Sequence, residues 1–270
     1  MRLGGAFGTF ALGVLAKRFA PLAFDYENND PDRTSRLGLY FGASLDAALR
    51  DRVVLDFGCG RGADVVAIAR AGAAHVIGVD VNEDYLTRAR ALAIEHGVVD
   101  RCTFVNAARE PERYRSWRER CDTIVSIDAF EHFRDPRAML GEMVALLRPG
   151  GTLLVSFGPP WQHPYGAHMN HFTTLPWIHM LFDEATILAV RERHVRDGVT
   201  HFEDLPGGLN RMTVARFEAL VAQSGLAIAS FEPVAIRGLS FFTARRATRE
   251  YFTSIVKAIL TKSGDAASLG

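Results

Sequence analysis

The sequence has no excess of either charge: lysine plus arginine and aspartate plus glutamate each total 31 in 270 residues, so no global field favours a nucleic-acid partner. Cysteine is scarce. Cys59, Cys102 and Cys121 show neither C-x-x-C spacing nor a secreted disulfide pattern, which fits a reducing, cytoplasmic setting. The apolar run Ala6 to Ala16, behind Arg2, is too short to span a bilayer. Lys17 and Arg18 follow it without a small-residue cleavage pattern, which weakens a secretory reading. It reads instead as an amphipathic helix capping the domain, with membrane contact the lesser alternative. Internal repeats and low-complexity tracts are also missing.

What is present is a rhythm. From Asp51 onward short β-rich apolar runs alternate with helical patterns, the sequence form of a parallel sheet with helices on both faces. The strands read are 52–57, 74–80, 102–107, 122–127 and 151–157. Helices fall near Ala63–Ala71, Glu83–His96, Glu112–Arg118 and Pro136–Leu147, with Asn82 as an N-cap and Pro136 in a first turn. Arg148-Pro149-Gly150-Gly151 turns the last of these into the fifth strand. Gly158 to Asn210 breaks the rhythm and reads as an insertion; a helix at 213–226 and a strand at 227–236 follow. Residues 236–249 suit a helical connection, and 250–263 suit either a last strand or a helix. The expected division is a cap over 1–50, a core over 51–158, a lid over 159–212 and core-completing elements over 213–270.

The stretch VVLDFGCGRGAD, Val53 to Asp64, places Gly58, Gly60 and Gly62 between a strand and a helix. Glycines there let backbone N–H groups and a helix N-terminus approach a ligand that a Cβ would block. Asp80 ends the second strand, 22 residues beyond Gly58, where a carboxylate can accept hydrogen bonds from ribose hydroxyls. Asp56 speaks against a dinucleotide, because it would lie close to the pyrophosphate.

Asp56, Gly58, Gly60 and Gly62 fit the D-x-G-x-G-x-G pattern of the class I S-adenosylmethionine-dependent methyltransferases, which this chain resembles over roughly Val53 to Phe157 plus the last helix and strands. That cofactor has no phosphate and carries an ammonium and a sulfonium, so an acid near the loop helps. The resemblance implies a doubly wound α/β fold: a seven-stranded Rossmann-like sheet whose last strand is antiparallel, an N-terminal helical cap and a lid after strand five. It implies S-adenosylmethionine as cofactor, held by Asp56, Gly58, Cys59, Gly60, Gly62, Asp80, Val81 and Ile127. The family often has an acid after the third strand for the adenine amino group. Asn106, Ala107 and Ala108 stand here instead, leaving the adenine contacts open.

SIDAFEHF, Ser126 to Phe133, resembles the E-x-F-E-H segment of the coclaurine N-methyltransferase and cyclopropane fatty acid synthase branches, with Asp128 for the first glutamate. By that likeness Asp128 and His132 are candidates for binding a substrate cation or taking its proton; an imidazole titrates near neutrality. The plainer alternative is that Glu131 and His132 cap the next helix and hold the loop.

Pro159 to Met180 holds four of the nine histidines: His163, His168, His171 and His179. Leaving the carboxyl end of the fifth strand, this stretch is expected over the acceptor pocket, with Trp161, Tyr165, Phe172 and Trp177 as apolar walls. His163, His168 and His171 are read as further proton-accepting candidates. His168 and His171, one helical turn apart, could also share a metal with His163, but methyl transfer requires none and no metal is assigned. His179 reads as structural. Upstream, Tyr26, Arg33 and Arg36 could approach the cofactor carboxylate, although a solvated face is the plainer reading. The expected function is methyl transfer to an O, N or C nucleophile of a small, apolar or aromatic substrate. Lipid methylation or methylene transfer, a lyase or cyclase, and a non-catalytic cofactor binder are the alternatives.

Overall fold

A computed structural model describes residues 2–20, 35–42, 45, 49–205 and 207–264. In chain order its helices are α1 (Gly5–Arg18), α2 (Leu37–Phe41), α3 (Ala63–Arg70), α4 (Glu83–Glu95), α5 (Pro111–Arg115), α6 (Pro136–Leu146), α7 (Ile178–Leu181), α8 (Glu184–Val195), α9 (Val214–Ser224), α10 (Ser240–Thr243) and α11 (Arg246–Phe252). Its strands are β1 (Val53–Phe57), β2 (His75–Asp80), β3 (Cys102–Asn106), β4 (Cys121–Ile127), β5 (Leu147–Phe157), β6 (Leu226–Ala235) and β7 (Thr253–Lys262). They form one sheet in the order β3-β2-β1-β4-β5-β7-β6, parallel except that β7 runs antiparallel to both neighbours.

The central strands are apolar on both faces because both faces are covered. Leu55, Phe57, Ile77, Val79, Ile124, Leu153 and Val155 point to one side, against α6 and α9 through Leu140, Met143, Phe217 and Val221. Val54, Val76, Val125 and Leu154 point to the other, against α3 and α4 through Val65, Ile68, Leu86 and Ala89. Capping follows local chemistry: the Asn82 side chain accepts from the backbone N–H groups of Asp84 and Tyr85, Asp135 from Ala138 and Thr213 from Arg216.

Three local expectations change. The fifth strand starts at Leu147, because Cys121 pairs with Leu147 before a bulge shifts the register to Thr123 against Thr152. Residues 148–151 are therefore part of an irregular strand. Glu250 to Phe252 close α11, and the β-branched run after them pairs with β5 as a strand, Thr152 against Thr261 through Phe157 against Val256. The third difference concerns α1, which is apolar on two faces. Gly8, Leu12 and Ala16 are buried, while Phe7, Phe10 and Val14 face outward.

The buried stripe of α1 joins the insertion. Leu12 and Ala16 share a hydrophobic cluster with Ala167, Met169, Phe172, Leu175, Ile178, Phe182, Ile187, Leu188, Val190, Phe202 and Leu209. The Leu3 N–H donates to the Leu181 carbonyl at 2.8 Å, and the Phe19 carbonyl accepts from the Thr174 N–H at 2.7 Å. α1 and the segment expected as a lid, far apart in sequence, thus share a core separate from those of the sheet.

Candidate active site

The carboxyl ends of β1 and β4 are neighbours, and the sheet order reverses between them, which is where open α/β sheets bind ligands. Gly58, Gly60 and Gly62 all have positive φ, 86°, 53° and 85°. A Cβ on Gly58 would lie 2.7 Å from the Ala129 Cβ, and one on Gly62 would lie 2.7 Å from the Ala89 Cβ. Gly60 differs: nothing lies within 4 Å of its Cβ position, so its backbone faces open space. The Asp80 carboxylate holds the loop in this shape, accepting from the Gly60 N–H at 2.9 Å on one oxygen and the Asn82 N–H at 2.9 Å on the other.

Acids gather around the loop. Asp56 is 2% exposed, and burial, followed by repulsion from Asp64 and Asp80, pushes its carboxyl well above the usual range. Burial also raises Asp64. An under-neutralised cluster of this kind suits a positively charged ligand. Cys59 turns its side chain into the core, where Gly78 faces its sulfur, so only its backbone lines the loop. Ile127 is buried at the end of β4, and Val81, next to Asp80, is 69% exposed. Asn106 spends its amide on the scaffold: Nδ2 donates to Glu83 and the Val81 carbonyl, and Oδ1 accepts from the Ala108 and Arg109 N–H groups.

Two acids fasten α2 above the loop. The Ser35 hydroxyl and Leu37 N–H donate to Asp64 Oδ1 at 2.6 and 3.1 Å. Arg36 Nη1 and the Tyr40 hydroxyl donate to Asp128 Oδ2 at 2.5 and 2.9 Å, and the Ser156 hydroxyl donates to Oδ1 at 3.0 Å. Arg36 is therefore committed to Asp128. Tyr26 and Arg33 lie outside the described residues.

After β4, His132 Nδ1 is 2.8 Å from the Gly208 carbonyl. A carbonyl only accepts, so Nδ1 carries the proton and, in the neutral ring, Nε2 keeps its lone pair. The His168 ring lies 5.5 Å from that of His132, and burial followed by His132 holds His168 down to about 4. His163 Nδ1 accepts from the Tyr165 N–H at 3.1 Å, and burial lowers this ring to about 4 as well. Beneath them Glu131 is 2% exposed; Oε1 accepts from the Gly158 N–H while Oε2 has no partner, and burial lifts the carboxyl to about 7. Glu131 does not cap α6, where Asp135 does.

His171 stands apart. It is exposed beside Phe172, near Arg191, Asp197 and His194, and the backbone at His168 is left-handed with φ 55°, so no helix aligns the two histidines. Among the described residues no group of three or more His, Cys, Asp or Glu is placed to hold a metal ion. His179 is buried against Trp161 with ring centroids 4.5 Å apart. Phe172 and Trp161, expected as pocket walls, pack instead with the lid's own core.

Residues 54–151 match the family model described as a methyltransferase domain. This stretch is similar to a methyltransferase domain. A ubiquinone biosynthesis O-methyltransferase of Aeromonas salmonicida is 34% identical over 107 residues, 38% of this chain and 42% of the relative. A tRNA U34 carboxymethyltransferase of Cellvibrio japonicus is 36% identical over 112 residues, 40% of this chain and 33% of the relative. The chain thus spans about half or less of the length of these curated relatives. An S-adenosylmethionine-dependent methyltransferase of Mesorhizobium loti shares the fold, with a TM-score of 0.52 and 20% identity over 82% of this chain and 97% of that one. The methyltransferase domain matched by the family includes the glycine loop, Asp80, Asp128 and His132. It ends at Gly151, before the lid histidines.

Ser35, Tyr40, Asp64 and Gly208 escaped sequence reasoning as site-forming residues. Asp64 had a signal, an acid in the first turn after the glycine loop. Gly208 had none, since it acts through its carbonyl.

Proposed function

We propose that this chain is a methyltransferase that uses S-adenosylmethionine to methylate an O, N or C nucleophile of a small, apolar or aromatic molecule. The observation that carries the reading is the fastening of α2 to Asp64 and Asp128 next to an acid-lined glycine loop, with His132 oriented through Nδ1 on the Gly208 carbonyl. When bound, the cofactor supplies a methyl group already activated on a cationic sulfur.

The chain's own residues do the rest. The backbone of Gly58, Cys59, Gly60 and Gly62 lines the cofactor site, and Asp56 and Asp80 complement its charge and ribose. Val81 and Ile127 pack on its apolar parts. The docked α2 excludes water and fixes the reactants, where most acceleration of a methyl transfer arises. His132 Nε2 takes the acceptor's proton, with Nδ1 anchored on Gly208. His163 and His168, kept neutral by burial, give polar walls that do not repel a cationic centre. Asp128 acts as the clamp of α2 instead of a base, because Arg36, Tyr40 and Ser156 occupy its oxygens. His171 has no part at this centre. Balanced charge supports a small-molecule acceptor over nucleic acid, and three free cysteines support a cytoplasmic setting.

Incubation with methyl-labelled cofactor and candidate acceptors should give acceptor-dependent S-adenosylhomocysteine and a labelled product. Cofactor binding without such turnover would overturn the enzymatic reading. Asp80→Ala should weaken cofactor binding and His132→Ala should spare it while lowering turnover; equal binding by the two variants would refute the assignment.

A further inference from the structure

The outward face of α1 is not built like the exposed side of an ordinary surface helix. Phe7, Phe10 and Val14, spaced i, i+3 and i+7, form one stripe and are 69%, 71% and 54% exposed. The opposite stripe is already buried in the lid core, so the outer one is not needed for folding. At the N-terminal end of α1, Leu3 and Leu181, joined by a backbone hydrogen bond, are themselves 42% and 48% exposed. With 14 residues, α1 does not cross a bilayer, and no helix among the described residues is long and apolar enough to do so.

Charge is arranged to match. Arg2, Lys17 and Arg18 are the only charged residues before Asp25. α8 runs alongside in the same direction: Asp183 lies at Gly4, Thr186 at Gly8 and the Arg193 guanidinium at Gly13. Lys17, Arg18, Arg193 and Arg196 thereby gather towards the shared C-terminal end of the two helices. Among the described residues, two acids that follow α8 or close it are engaged, Asp197 with the buried Arg191 and Glu192 with the Gly198 N–H.

We propose that this face of α1 docks the protein on the surface of an anionic lipid bilayer, with Phe7, Phe10 and Val14 entering the acyl boundary and the cations meeting lipid phosphates. An apolar stripe flanked by lysine and arginine is the composition that binds interfaces, through buried apolar area plus attraction to anionic headgroups. A second copy of this chain fits less well, since opposing two such faces would bring cationic ends together or leave them unmatched. Because α1 and the lid share one core, docking would hold the lid at the membrane.

The test is vesicle co-sedimentation of the full chain. It should bind phosphatidylcholine vesicles containing phosphatidylglycerol, bind phosphatidylcholine alone weakly, and release with salt. Phe7→Ser/Phe10→Ser should lower binding by at least about tenfold, and Lys17→Glu/Arg18→Glu should remove the preference for phosphatidylglycerol. Phe241→Ser, at an exposed aromatic on the β6–β7 connection, should bind as the parent does. Unchanged melting temperatures of the variants establish that folding is intact, as expected for exposed positions. Failure of the parent to bind anionic vesicles, unaltered binding by Phe7→Ser/Phe10→Ser, or a parent dimer that this variant dissociates would each overturn the proposal.

Discussion

Asp128→Asn should release α2 from the sheet while leaving the loop backbone intact. Asparagine is the informative replacement because Asp128 has a φ of 49°, a left-handed conformation that asparagine tolerates and alanine does not. The carboxylate accepts one charged bond from Arg36 and one neutral bond from Tyr40. Such bonds contribute about 1.5–3 and 0.5–1.5 kcal/mol respectively. The Arg36 side chain is 43% exposed, so solvent screening places its share at or below the lower end. A combined loss of about 2 kcal/mol corresponds to about thirtyfold in the ratio of docked to undocked α2. Amide hydrogen exchange over Leu37–Phe41 reads that ratio, and protection should fall by about this factor. Cofactor affinity should fall too, by up to the same factor, depending on how far the undocked state is already populated. Tyr40→Phe, which removes only the neutral bond, should show about a fivefold effect. Unchanged protection in Asp128→Asn, or a larger effect from Tyr40→Phe, would refute the clamp.

Two other sites give sharp expectations. Gly62→Ala introduces a Cβ 2.7 Å from that of Ala89 at a φ of 85°, so left-handed strain and overpacking add to about 3 kcal/mol and should lower the melting temperature by roughly 6–10 °C; an unchanged melt would show that α3 and α4 are not packed as described. Glu131→Gln should alter stability in a pH-dependent way. The folded carboxyl is raised from 4.5 to about 7, so the native state binds more protons than the unfolded one between these values and the parent loses stability as pH rises through that window. Glutamine removes the cost of ionisation, worth about 3 kcal/mol above pH 7, and denaturant titrations at pH 5 and 8 should show a flatter dependence than in the parent. Equal slopes for both proteins would refute the buried, protonated assignment.

The sheet was legible because its strands are buried on both faces. Val53–Phe57, His75–Asp80 and Cys121–Ile127 read as short apolar runs, and the glycine loop stood between a strand and a helix. Less could be read where a residue's partner is distant. The run from Thr253 fits a strand or a helix until β5 is known to lie beside it. Arg36 looked like a solvated cation or a cofactor ligand, and only the fold brings it to Asp128, 92 positions away. The spacing of His168 and His171 carried meaning only if the segment were helical, and the left-handed backbone at His168 removes that condition.

The core shared by α1 and the lid changes where acceptor selectivity must be sought. A sequence rich in Trp, Phe and His after β5 suggests an aromatic pocket, yet Phe172, Phe182 and Phe202 are at most 2% exposed and Trp161 packs on His179 and Phe202. Those rings hold the lid together and attach it to α1. Under the proposed function an acceptor would meet His132, the enclosed His168 beside it and the Gly207–Gly208 backbone, where a Cβ on Gly208 would come within 2.8 Å of the His132 carbonyl. A side chain at Gly208 would therefore disturb the hydrogen bond that fixes the His132 tautomer without touching the glycine loop. Exchanges at that position should alter turnover and its pH dependence before they alter cofactor affinity, whereas exchanges in the aromatic lid should first alter stability.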